Sequence, residues 1–253
     1  MTNAVYPCLK EKPVLISGGA SGIGEAIVKS FAAQGARVGF VDLMEDAGAA
    51  LAKELRDAGH TVVFQRCDIT DTEQYRRAIK HFEGVHGPCL VLVNNAANDT
   101  RMDWQKVTPE EFNRRIGVNL AHAFFAIQAV APGMMAARQG SIINFGSISW
   151  MAAQAGIPVY TAAKAATHGM TRSFARELGQ HNIRVNTVVP GWVMTKRQLD
   201  LWVDDAANEL IDRSQCLAGR VQPQDLAAMV TFLASDSARM CSAQNFVVDG
   251  GWV

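Results

Sequence analysis

The chain has 253 residues, and 24 Lys plus Arg balance 24 Asp plus Glu, for a formal charge of zero. Apolar residues make up 49% and charged residues 19%, too apolar for a disordered chain and ordinary for one that buries a core. A neutral chain with no basic cluster suits neither nucleic acid nor an anionic membrane surface, so neither is expected as a partner.

Five cysteines (Cys8, Cys67, Cys89, Cys216, Cys241) are scattered, with no CxxC pair and no histidine at zinc-ligand spacing. Reduced thiols, a cytoplasmic setting and no metal site are therefore expected. The opening stretch, MTNAVYPCLKEKP, lacks the apolar segment of a signal peptide. The six histidines are dispersed and read as surface or core residues.

In chain order, 13–17 (PVLIS) reads as a strand, followed by a helix over 22–34 that Gly35 ends. A second strand at 36–42 precedes an Ala-rich helix over 45–58, and a third at 61–67 precedes a helix over 72–82. The fourth strand, 90–96, is continuously apolar, as suits a strand covered on both faces. Thr108, Pro109 and Glu111 form a capping box that starts the next helix. Residues 116–137 are uncharged over a length that could span a membrane. Asn119, His122, Gln128 and a Pro132-Gly133 break favour a buried or subunit-contact helix instead. A fifth strand at 141–147, a long helix at 158–178 and a sixth strand at 183–189 follow. An irregular segment at about 192–220, a helix at 223–234 and a final strand at 245–249 complete the chain. Strands alternating with helices predict one α/β domain over 1–253: a doubly wound Rossmann sheet of about seven parallel strands, helices on both faces.

The first strand runs straight into Ser17-Gly-Gly-Ala-Ser-Gly-Ile-Gly24 and then a helix. Glycines let a phosphate approach the main chain, and the helix start offers it unpaired N–H groups. Glu25 stands where a nucleotide-triphosphate loop would need lysine, so that reading fails. Gly18, Ser21, Gly22, Ile23 and Gly24 are candidate dinucleotide contacts. Asp42 ends the second strand eighteen residues beyond Gly24, the place of an acid that takes ribose hydroxyls and repels a 2′-phosphate. NAD is favoured over NADP.

Tyr160 and Lys164 are four apart on a helix and so share a face. A neighbouring cation favours phenolate, so a lowered tyrosine pKa is expected. Ser147 lies thirteen residues earlier, and Asn94-Asn95-Ala96-Ala97 closes the fourth strand.

Together these features resemble the short-chain dehydrogenase/reductase family over essentially the whole chain. The resemblance implies that Tyr160 is the catalytic base or acid and that Lys164 binds nicotinamide ribose while tuning it. It implies that Ser147 holds the substrate oxygen and that Asn119 positions a proton-relay water. By the same resemblance Asp68 contacts adenine, Asn95 and Ala96 line the cofactor, and Pro190, Gly191, Val193 and Thr195 form the nicotinamide-side loop. Ala97 departs from the family's usual glycine and should narrow the space behind the cofactor.

Blocks at 98–101 (NDTR), 144–150 (NFGSISW), 193–198 (VMTKRQ) and 215–220 (QCLAGR) resemble the branch of bacterial NAD-dependent aldose 1-dehydrogenases. That implies hydride transfer from C1 of a cyclic pentose or hexose (D-xylose, L-arabinose, D-galactose or L-fucose type), giving the aldonolactone. A sugar pocket needs paired polar groups and an aromatic wall, and Asn98, Asp99, Trp150, Gln154 and Trp192 all lie just beyond strand ends. Other alcohols (3-hydroxyacyl thioesters, steroids, polyols) would use the same catalytic residues, and a non-catalytic dinucleotide sensor would not need Tyr160. The resemblance also implies a homotetramer built on the helices carrying Asn119 and Tyr160, with Ala162, Ala163, Ala165 and Ala166 on the contact face.

Overall fold

Alternate residues of each central strand feed two different cores. In β1 (Pro13–Ser17), Val14 and Ile16 face one way and Leu15 the other; in β4 (Val91–Asn94), Val91 and Val93 oppose Leu92. Such strands are stable only with helices on both faces, since each fully buried aliphatic side chain contributes about 1.5–3 kcal/mol.

The computed structural model describes residues 4–253. The remaining strands are β2 (Arg37–Asp42), β3 (Val62–Arg66), β5 (Gly140–Phe145), β6 (Ile183–Pro190) and β7 (Asn245–Val248). All pair in parallel, in the order β3-β2-β1-β4-β5-β6-β7. On one face, α1 (Gly22–Ala33), α2 (Glu45–Asp57) and α9 (Pro223–Ala234) bury Ile27, Phe31, Leu51, Leu226 and Val230. On the other, α3 (Thr72–His86), α5 (His122–Ala137) and α6 (Pro158–Leu178) bury Tyr75, Phe82, Ile127, Met134 and Leu178. The strand order reverses between β1 and β4, which opens a crevice at the carboxyl ends of the strands.

Three sequence expectations change. The helix over residues 122–137 runs through Pro132 instead of breaking at Pro132-Gly133. One missing backbone bond is outweighed by burial of Val130, Ala131 and Met134 on either side of the proline. Thr108 does cap α4 (Pro109–Ile116) by accepting from the Glu111 N–H, but the Glu111 carboxylate turns to Arg114 and Arg115, so the reciprocal half of the box is not made. Between α4 and α5 lies a π turn, Gly117–Ala121, which carries Asn119. The whole run Pro109–Ala137 is long and apolar enough to cross a membrane. Within it, however, Ala126, Ile127, Val130 and Met134 are buried against the sheet.

The 192–220 segment holds two short helices, α7 (Lys196–Leu201) and α8 (Asp205–Ser214), capped by Thr195 and Asp204. The C-terminal tail folds back on it. Asp249 accepts from Gly251 N and Val253 N, and Leu217 N donates to Gly250 O.

Candidate active site

A cleft of about 1180 Å³ runs along the carboxyl edge of the sheet. The glycine turn forms one end. Gly18 and Gly22 have φ of 69° and 57°, backbone that a side chain rarely adopts. A Cβ on Gly18 would stand 2.8 Å from Ala96 Cα, and one on Gly24 would overlap the Gly18 carbonyl. Asn95 pins the turn from β4, its amide donating to Ser17 O at 3.0 Å and Gly18 O at 2.9 Å. Ser17 Oγ in turn accepts from Asn95 N and Ala96 N. Ser21, Ile23, Asn95 and Ala96 all line the cleft.

Asp42 stands at the end of β2 and also lines the cleft. Its two oxygens accept from Ala20 N and Met44 N, each at 3.0 Å, which fixes the carboxylate beside the turn. Asp68 lines the cleft too, with one oxygen accepting from the Thr70 N–H and hydroxyl. Beyond β6, Pro190, Gly191, Val193 and Thr195 close the cleft's far side, and the Thr195 methyl approaches Gly22. The residues read from sequence as dinucleotide contacts therefore surround one space. Its narrow glycine-lined end, with helix α1 starting beside it, fits a dinucleotide pyrophosphate. Ala97 lines the same cleft and is exposed, so its methyl takes space from the cleft and leaves the turn unaltered.

Ser147, Tyr160 and Lys164 share one wall of this space. Ser147 Oγ accepts from Ser149 N at 3.1 Å, which leaves its hydroxyl proton to be donated elsewhere. Lys164 is only 2% exposed; its ammonium donates to Phe145 O at 2.8 Å and lies 5.7 Å from the Tyr160 ring centroid. Burial pushes Lys164 down to about 8 against a smaller upward pull from the Asp99 charge. Burial pushes the Tyr160 phenol well above its ordinary value, and the hydrogen bond to Ser147 only partly offsets this. The expected lowering of the tyrosine is thus reversed in direction. The ammonium that should stabilise phenolate is itself desolvated and committed to a backbone carbonyl.

Two candidate residues do not reach the cleft with their side chains. Trp150 does not line the cleft. It is 39% exposed and lies edge-on to His168, its indole N–H donating to His168 Nε2 at 3.4 Å. The three-residue helical turn after Ser147 swings it outward, away from the residues that line the cleft. The Asn119 side chain also misses the cleft. At 2% exposed, it accepts from Asn98 N at 2.9 Å and donates to Asn98 O and Arg115 O. Its amide holds the loop after β4, so the side chain positions that loop.

Gln154 and Trp192 do line the cleft, as does Asn98, although the Asn98 amide oxygen is engaged by Thr100 N in a local turn. Among the lining residues given no individual role in the sequence reading are Arg101, Gln198, Trp202 and Trp252. The Arg101 guanidinium lies 4.3 Å from the Trp202 ring centroid, and Trp192 and Trp252 pack at 6.4 Å. Tryptophan count was the available signal, but position in a loop or tail concealed their convergence. Among the described residues there is no group of three or more His, Cys, Asp or Glu that could hold a metal ion.

A family model described as Enoyl-(Acyl carrier protein) reductase matches residues 18–253. The chain is 46% identical over 252 residues to a D-xylose 1-dehydrogenase of Caulobacter vibrioides, covering 100% of both. It is 40% identical to a Rhizobium meliloti protein named "Probable galactose dehydrogenase GalD", covering 99% of this chain and 98% of that one. Among solved structures, a blue fluorescent protein from a metagenomic library in complex with NADPH superposes with a TM-score of 0.89 at 33% identity, over 97% of this chain and 99% of that one.

Proposed function

Because the chain belongs to the short-chain dehydrogenase/reductase family, we propose that it oxidises a cyclic aldose at C1 with NAD, releasing the aldonolactone. The observation that carries this reading is the convergence of Ser147, Tyr160 and Lys164 on one wall of the cleft that also holds the glycine turn and Asp42. The sugar-dehydrogenase relatives, matched end to end, support the substrate class.

Gly18, Ser21, Gly22, Ile23 and Gly24 would hold the pyrophosphate, Asp42 the adenosine ribose, and Pro190, Gly191, Val193 and Thr195 the nicotinamide side. When bound, the oxidised nicotinamide supplies the hydride acceptor. Tyr160 Oη takes the proton of the C1 hydroxyl, acting as general base. Ser147 donates its hydroxyl proton to the same sugar oxygen as it becomes a carbonyl, where charge changes most. Lys164 holds α6 against β5 through the Phe145 carbonyl, with its ammonium 5.7 Å from the Tyr160 ring centroid. Asn119 keeps the Asn98 loop in register with that wall.

Asp42 supports NAD over NADP. Its fixed carboxylate would face a 2′-phosphate with no cation beside it in the turn, although one structural neighbour of the same fold is a complex with NADPH. A homotetramer fits the exposed Phe112 and Phe124 of α4 and α5 and the exposed Ala162 and Ala166 of α6. Ala163 drops out of that contact face because it is buried in its own chain. A cytoplasmic setting fits the five free thiols, of which Cys67 is pushed up to about 11 by burial and so stays protonated.

The deciding experiment mixes purified protein with NAD and a panel of aldoses and follows NADH absorbance. Turnover with D-xylose, L-arabinose, D-galactose or L-fucose is expected. Turnover with a steroid, polyol or 3-hydroxyacyl thioester and none with any aldose overturns the reading.

A further inference from the structure

Asp99 and Gln198 stand 99 positions apart in sequence yet meet in the cleft, where the Gln198 amide nitrogen donates to Asp99 Oδ2 at 2.6 Å. The Gln198 oxygen accepts the Trp192 indole N–H at 3.0 Å. On its other side Asp99 Oδ1 accepts from Arg197 Nε at 3.3 Å, and Arg197 also donates to the Thr100 hydroxyl. The result is a hydrogen-bonded ladder that joins the loop after β4 to helix α7 and the loop before it.

Chemistry dictates the ladder's polarity. An indole nitrogen can only donate and a carboxylate can only accept. The residue between them must therefore offer an acceptor on one side and a donor on the other, which a carboxamide does and a carboxylate does not. The loop end is itself held rigid, by Arg115 donating to Thr100 O and by Asn119 bracketing Asn98. Gln198 is thus the adjustable link between a fixed loop and the segment bearing Trp192.

The two groups it joins have complementary uses. Asp99 is a strong acceptor for hydroxyl groups, and Trp192 with Trp252 presents two rings tilted at 44° as an apolar wall. A sugar ring needs both, acceptors for its hydroxyls and a flat surface for its C–H face. The wall adjoins the reacting centre, since the Asp99 charge acts on both Tyr160 and Lys164.

We propose that Gln198 is a positioning residue that locks Asp99 and Trp192 into a single sugar-orienting wall; this rests on the aldose reading above. Gln198→Glu sets carboxylate against carboxylate and breaks the ladder. The KM for the preferred aldose then rises about tenfold or more while kcat changes less than about threefold. The NAD dissociation constant, measured by titration without sugar, stays unchanged. Adding Asp99→Asn to Gln198→Glu restores the ladder with the donor moved to position 99, so KM falls at least about threefold from that of Gln198→Glu, while staying above wild type because position 99 then offers sugar hydroxyls a weaker acceptor. Gln198→Met, which removes both bonds without repulsion, raises KM as well and guards against a folding artefact in the charged variant. An unchanged KM in Gln198→Glu and Gln198→Met, a loss confined to kcat, or a double variant no better than the single one overturns the proposal. A wild type that oxidises no aldose overturns the aldose reading and this inference together, whereas an active wild type with indifferent variants overturns this inference alone.

Discussion

Lys164 Nζ donates to the Phe145 carbonyl at 2.8 Å, tying the helix that bears Tyr160 to the strand that leads into Ser147. The bond holds a buried ammonium where burial disfavours its charge, and its pKa is pushed down to about 8 from 10.5. The folded chain therefore releases this proton at lower pH than the unfolded chain. Below about pH 8 the buried charge costs the fold about 3 kcal/mol, and the cost disappears as pH rises past the unfolded value. Lys164→Met removes that cost but leaves Phe145 O without its donor, a loss of about 1 kcal/mol. The expected variant is inactive yet melts a few degrees higher than wild type at pH 7, with the gap closing between pH 8 and 10.5. Calorimetry across that range checks it, and a strongly destabilised variant would contradict it.

Tyr160 sits well above its ordinary pKa in the chain itself, so the protonated form dominates at neutral pH. Oxidation needs the phenolate as proton acceptor, while reduction needs the phenol as donor. Sugar oxidation should accordingly speed up with rising pH from 7 to 9 and the reverse reaction slow down. Tyr160→Phe should lose at least about a thousandfold in kcat and keep its NAD affinity, since only the proton transfer is removed. Near-normal turnover in that variant would remove the tyrosine from its role.

The Asp42 carboxylate accepts two main-chain N–H groups, from Ala20 and Met44. Asp42→Ala should therefore act twice, lowering stability by about 1–2 kcal/mol through the lost bonds and erasing the proposed preference for NAD over NADP. The ratio of kcat/KM values with the two cofactors measures the second effect. A variant as selective as wild type would sever the link between Asp42 and ribose recognition.

Strand and helix order was legible because period and punctuation agree. The runs at 13–17, 158–178 and 223–234 match β1, α6 and α9 residue for residue. Pro132 misled because a proline rule is local, while the burial that carries α5 through it is tertiary. The glycine turn and the Tyr160-Lys164 pair were readable because their spacing alone fixes their geometry. Trp150 and the Asn119 side chain were not, since a short turn and a π turn decide where they point. Trp252 reaches the cleft only because Asp249 folds the last residues back, a relation with no local signal.

Asn119 separates two roles that the sequence could not distinguish. Its amide nitrogen donates to Asn98 O and Arg115 O, and its oxygen accepts from Asn98 N. In Asn119→Asp a buried carboxylate oxygen would face those two carbonyls. A stability loss of about 2–4 kcal/mol is expected, together with a raised aldose KM from the displaced loop. Urea denaturation gives the first quantity and initial-rate kinetics the second. A variant of wild-type stability that lost only kcat would instead restore a purely catalytic part for this side chain.

Two glycines give opposite outcomes for the same substitution. In Gly24→Ala the new Cβ would overlap the Gly18 carbonyl, and the Asn95 amide is also within 2.8 Å, so the turn must open. Loss of NAD binding and a stability drop of at least about 2 kcal/mol are expected. Gly84 lies exposed inside α3 on ordinary helical backbone, and a Cβ added there would meet no atom within 4 Å. Gly84→Ala should stabilise by about 0.5–1 kcal/mol, because alanine has less backbone freedom to lose on folding. Thermal melts of the two variants side by side, with NAD titrations of each, check the pair: an indifferent Gly24→Ala would mean that the glycine turn does not need its close packing.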